Sequence, residues 1–176
     1  MEISKSLIAY FSRRGNNYIG GNIVNLLIGN TEVIAQKIQA LTRSNMFQID
    51  TVQSYPEDYT ETTNVAREEL RNNVRPELTK KVNNMNLYDV IYLGYPNWWG
   101  TMPMAVFTFL DSYDFSGKTI IPYCTHEGSG MGSSEQDIRK LCPNAKVLSG
   151  LAIKGASVAK ADKDVMNWLE KFNLMP

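Results

Sequence analysis

The chain is poor in the residues that carry most protein-borne chemistry. Its 176 residues include two cysteines and one histidine. Cys124 and Cys142 stand far apart and match neither a CxxC pair nor a zinc-ligand spacing, and no second histidine joins His126. A metal centre is therefore not expected. Two isolated thiols suit a reducing compartment, so the expected setting is cytoplasmic. Excess charge is missing too: 18 Lys and Arg balance 18 Asp and Glu, for a formal net charge of zero. That speaks against a nucleic-acid or anionic-membrane surface, which needs a basic excess. The start, Met1-Glu2-Ile3-Ser4-Lys5, has no apolar signal core. No apolar run approaches the roughly 20 residues of a membrane-spanning helix. The motifs G-x-G-x-x-G, the Walker loop and G-x-S-x-G are also absent, which disfavours the commonest nucleotide folds and a hydrolase nucleophile elbow.

What the chain does have is short apolar runs alternating with helical periodicity. Ile8-Ala9-Tyr10-Phe11 reads as a first strand. Ile34, Ile38 and Leu41 fall on one helical face, so 31–43 reads as a helix. Strands at 46–52, 88–94, 119–124 and 147–153 follow, with helices at 61–73, from Pro103 through Tyr113, after Ser133, and from Val158 through Phe172. Pro103 suits a first turn, and Ser133 with Gln136 has a capping-box spacing. Strands that are apolar without alternation imply a sheet buried on both faces. The expectation is α/β: a doubly wound, five-stranded parallel sheet with helices on both faces, in one domain over 1–176.

Residues 13–30 break the rhythm. A strand-to-helix loop usually has about 2–6 residues, and a long loop inside a compact domain is usually functional. This one reads as an excursion at the ligand end of the sheet, folded as a short hairpin.

Three loops leave the carboxyl ends of strands one, three and four, where open α/β sheets hold ligands. In the first, Asn30-Thr31 opens a helix whose free N–H groups face Ser12, an arrangement that suits a phosphate. Arg13 or Arg14 adds charge. Of two Gly-Asn pairs, Gly29-Asn30 is preferred to Gly15-Asn16 because it directly opens the helix. The second loop, Tyr95-Pro96-Asn97-Trp98-Trp99-Gly100, places two tryptophans where something flat would cover them. Adjacent side chains point to different sides, so one should face a given ring, with Trp98 the first choice. The third, Thr125-His126-Glu127-Gly128-Ser129-Gly130-Met131-Gly132, has glycines that allow close backbone approach. A lone histidine there is more often structural than catalytic.

Tyr10-Phe11-Ser12-x-x-Gly15-Asn16, Gly29-Asn30-Thr31-Glu32, Tyr55-Pro56-x-x-Tyr59, Gly94 through Gly100 with Pro103, and Glu127-Gly128-Ser129-Gly130 together resemble the flavodoxin-like FMN proteins. The match is closest to small bacterial flavodoxin-type oxidoreductases with an insertion before the first helix, and it covers nearly the whole chain. The resemblance implies the strand order 2-1-3-4-5 and FMN at the strand-one/strand-three switch point, a geometry known for the family rather than read from spacing. It implies contacts from Ser12, Arg14, Asn17, Asn30 and Thr31 around the phosphate. Pro96, Asn97, Trp98, Trp99 and Gly100, with Thr125, His126, Glu127, Gly128 and Ser129, would flank the flavin ring.

The function expected is transfer of electrons from NAD(P)H through FMN to a small acceptor such as a quinone, with the flavin rather than a side chain carrying the chemistry. The alternative is a flavodoxin-type electron carrier served by a protein donor, which the neutral charge disfavours because docking by charge would be feeble. A homodimer is compatible with either. A phospho-receiver is not, because strands one and three end in Phe11-Ser12 and Tyr95-Pro96 without clustered acids.

Overall fold

Leu7, Ala9 and Phe11 belong to one apolar cluster and Ile8 and Tyr10 to another, and all five are buried. A segment apolar on both sides must be covered on both faces. In the computed structural model, which describes residues 5–176, it is the central strand β1 (Ser6–Tyr10). Its neighbours are β4 (Asn45–Gln48) on one side and β5 (Val90–Pro96) on the other, both parallel to it. Strand β6 (Thr119–His126) pairs with β5, and two short strands, β7 (Lys146–Val147) and β8 (Leu151–Lys154), pair with the far side of β6. With β7 and β8 counted as one strand, the sheet order is 2-1-3-4-5. Met1 to Ser4, on which the reading of the chain start rests, lie outside the described residues.

One face is covered by α1 (Asn30–Thr42) and α5 (Asp162–Glu170), through Ile34, Ile38, Val165, Trp168 and Leu169. The other carries α2 (Tyr59–Arg71), α3 (Met104–Asp111) and α4 (Ser134–Leu141), with Phe109, Leu110 and Ile138 at its centre. The last helix is preceded by a 3-10 segment, Gly155–Lys160, rather than running unbroken from Val158. No helix among the described residues is long and apolar enough to cross a membrane.

The fifth strand, expected to be continuous, is split. Ile120 pairs with Val147 but Tyr123 pairs with Leu151, so the outer strand carries one extra residue between the two pairs. The cause is Pro122, in the middle of β6. The carbonyl of Ile120 accepts from Leu148 N–H at 3.0 Å. Residue 122 therefore faces the same side, where a proline has no N–H to give. Ser149 carbonyl accepts instead from the indole Nε1 of Trp168 at 3.1 Å.

The capping box is also not formed. Ser133 Oγ donates to the Gly100 carbonyl (3.2 Å) or the Asp137 carboxylate (3.2 Å) and accepts from no backbone N–H of α4. The long insertion does form a hairpin, β2 (Gly15–Ile19) with β3 (Asn22–Leu26), antiparallel and outside the main sheet. Gly20 and Gly21, at φ 58 and 92, supply the left-handed pair that a two-residue hairpin turn requires.

Candidate cofactor site

The loops after β1, β5 and β6 meet at the carboxyl end of the sheet and are tied together. Thr31 and Thr125 share a hydroxyl–hydroxyl bond of 2.8 Å. Asn97 N–H donates to the Thr125 carbonyl, and Asn97 Nδ2 to the Gly130 carbonyl, both at 2.8 Å. Asn97 Oδ1 accepts from Gly100 N–H at 2.9 Å. A Cβ added to Gly132 would lie 2.1 Å from the Gly100 carbonyl oxygen, so only glycine lets these two loops close on each other.

They enclose a cavity of about 380 Å³, within the range of small-molecule sites. One end is the start of α1. Its N-cap, Gly29, packs so tightly that a Cβ there would lie 2.2 Å from Ser12 Oγ. Ser12 Oγ accepts from Glu32 N–H at 3.1 Å, which leaves its own hydrogen free to donate. The N–H groups of Asn30 and Thr31 precede the first helical acceptor and have no carbonyl of their own helix to bind. Two amides, a serine hydroxyl and a helix dipole thus meet at one point, a donor set that suits a phosphate.

The other end is aromatic. Trp98 N–H donates to the Thr101 carbonyl at 2.8 Å, closing a tight turn whose middle residues, Trp99 and Gly100, have φ of 57 and 88. The left-handed backbone at Trp99 breaks the alternation that would have sent one tryptophan away, and both indoles line the cavity. Trp98 is wedged edge-on between Phe11 and Tyr55, at 5.2 Å from each ring. Trp99 is 51% exposed, and its Nε1 donates to the Thr63 carbonyl at 2.8 Å. Nothing in this arrangement conflicts with an aromatic ligand carrying one phosphate.

On the third loop, His126 Nδ1 accepts from Gly128 N–H at 2.9 Å, so the neutral ring carries its proton on Nε2. Burial, with Lys154 nearby, holds its pKa below the ordinary histidine value, against the opposing pull of Glu127.

Of the residues expected from sequence, Ser12, Asn17, Asn30 and Thr31 line the cavity. So do Pro96 through Gly100, Thr125, His126, Glu127 and Ser129. Gly128 does not; its N–H is turned to His126. Arg14 does not line the cavity and instead binds Glu32 at 2.9 Å, because a buried carboxylate needs a partner. Arg13 lines the cavity in its place. Sequence reasoning also missed Tyr18 and the face of α2 that presents Tyr59, Thr62, Thr63 and Ala66. The Tyr55-Pro56-x-x-Tyr59 motif was the available signal, but it follows strand two, and only the loops after strands one, three and four were read as ligand-bearing.

This is a doubly wound α/β protein with a cofactor-sized cavity at its topological switch point. Residues 5–172 match the family model described as flavodoxin, and the chain belongs to that family. It is similar to a flavoprotein from Bacteroides eggerthii DSM 20697, at 27% identity and TM-score 0.77 over 96% of this chain and 97% of that one. A flavoprotein from Bacteroides uniformis ATCC 8492 follows at 26% identity and TM-score 0.72, over 95% and 98%. The Lactobacillus acidophilus NCFM flavoprotein, solved in complex with FMN, shares the fold at 21% identity and TM-score 0.66, over 90% and 98%. No curated protein sequence matches the chain.

Proposed function

We propose that the protein is an FMN-dependent oxidoreductase that takes reducing equivalents from NAD(P)H and passes them to a small acceptor such as a quinone. The observation that carries the cofactor is the pairing within one cavity of a phosphate-ready helix end with an aromatic wall. Ser12 and the amides of Asn30 and Thr31 would hold the phosphate. Trp98, Trp99 and the Thr125–Ser129 loop would flank the ring. Bound FMN would supply the redox chemistry; the chain's task is to bind it, orient it and keep water from it.

The zero net charge favours the same reading over a carrier that docks on charge. The test is direct. The purified protein should be yellow, acid should release FMN, and anaerobic mixing with NADH or NADPH should bleach the flavin. A protein that stays colourless when given FMN would remove the cofactor. A yellow protein that neither nucleotide bleaches would leave only the carrier.

A further inference from the structure

Hairpin β2–β3 takes no part in the main sheet, and a lone two-stranded hairpin is marginal in water. It carries no charged residue from Gly15 to Thr31, so it has no ion pairs of its own to anchor it. Three contacts hold it, each through a residue of the cavity wall. At its foot the Arg13 guanidinium donates to the carbonyls of Asn16, Pro56 (2.9 Å) and Glu57 (2.6 Å). Midway, Tyr18 stacks on Tyr59 of α2, with ring centroids 5.9 Å apart at 25°. At its tip Gly20 N–H donates to Glu127 Oε2 at 3.0 Å.

The hairpin therefore springs from the phosphate-ready end of α1, where Gly29 is pressed on Ser12, and crosses to the loop after β6.

We propose that the hairpin is a strap over the cofactor, which must release Tyr18 and Gly20 before the cofactor enters or leaves. The proposal rests on the FMN reading above. Its moving contacts are one ring stack and one hydrogen bond, few enough for local opening to occur well short of unfolding.

The experiment compares the unaltered protein, Tyr18→Ala, and a chain in which a short Gly-Ser link replaces residues 17–24. FMN release is followed by the return of free-flavin fluorescence on dilution. FMN affinity is titrated, and amide deuterium uptake is mapped with and without FMN. The strap requires FMN to protect the hairpin amides in the unaltered protein. It also requires both variants to speed release by about threefold or more. Hairpin amides indifferent to FMN, or either variant releasing FMN less than about threefold faster, would overturn it while leaving the cofactor reading intact. An unaltered protein that binds no FMN would overturn both.

Discussion

Trp99 adopts φ 57, a conformation that costs a bulky side chain roughly 1–2 kcal/mol. Its indole is half exposed, so little burial offsets that cost; Trp98, by contrast, fills space between Phe11 and Tyr55. Trp98→Ala should lower the stability of the FMN-free protein by about 2–3 kcal/mol, near the low end for losing an aromatic from a core. Trp99→Ala should cost under about 1 kcal/mol yet weaken FMN about tenfold. Urea denaturation and flavin titration on both variants would separate the two duties.

Tyr123 tests the opposite sign. Its hydroxyl is buried with no hydrogen-bond partner among the described residues, and its ring lies where Gly94 leaves room. Tyr123→Phe removes an unmet polar group and should raise stability by about 1 kcal/mol in the same urea assay. His126 carries a pH dependence. Its folded pKa lies below the unfolded one, so the folded loop prefers the neutral ring. That contribution is complete above the ordinary histidine range and is lost as pH falls from the unfolded toward the folded value. An NMR titration should find its midpoint below about 6.5. A midpoint above that value would refute the assignment.

At the scale of elements, the start of α1 does two jobs through Ser12, a residue outside the helix. Ser12→Ala removes the acceptor for Glu32 N–H and a donor to the proposed phosphate. It should cost about 1 kcal/mol of stability and weaken FMN about tenfold, whereas a cap with no ligand role would show only the first effect. The helix itself was legible, because Ile34, Ile38 and Leu41 give its period and Gly29-Asn30 its start. The sheet was legible for the same kind of reason: each central strand is an unbroken apolar run. Its split edge was not, although Pro122 stood in plain view, because the break depends on which side of β6 the missing N–H faces. Trp168→Phe probes that break and should cost about 0.5–1.5 kcal/mol through loss of the bond to the Ser149 carbonyl. The pairing of Arg14 with Glu32 is a tertiary fact with no local signature, and the α2 wall, although Tyr55-Pro56-x-x-Tyr59 marked it, reaches the cavity only through the tertiary approach of α2.

For the whole molecule, the balance of 18 basic and 18 acidic residues bears on how electrons arrive. A carrier that finds protein partners by charge has rates that fall steeply with salt, since screening shortens the field to about 10 Å at 0.1 M. A protein of zero net charge reduced by a small donor, as proposed above, has little such field to lose. Nucleotide charge is drawn, if at all, by local groups such as Arg13, whose guanidinium is already engaged with three carbonyls. The rate of flavin bleaching by NADH should therefore change by less than about threefold between roughly 0.05 and 0.5 M salt. A fall of tenfold or more, measured by anaerobic stopped flow, would mean that long-range charge guides the encounter. That result would return the neutral chain to the class of proteins that meet charged partners.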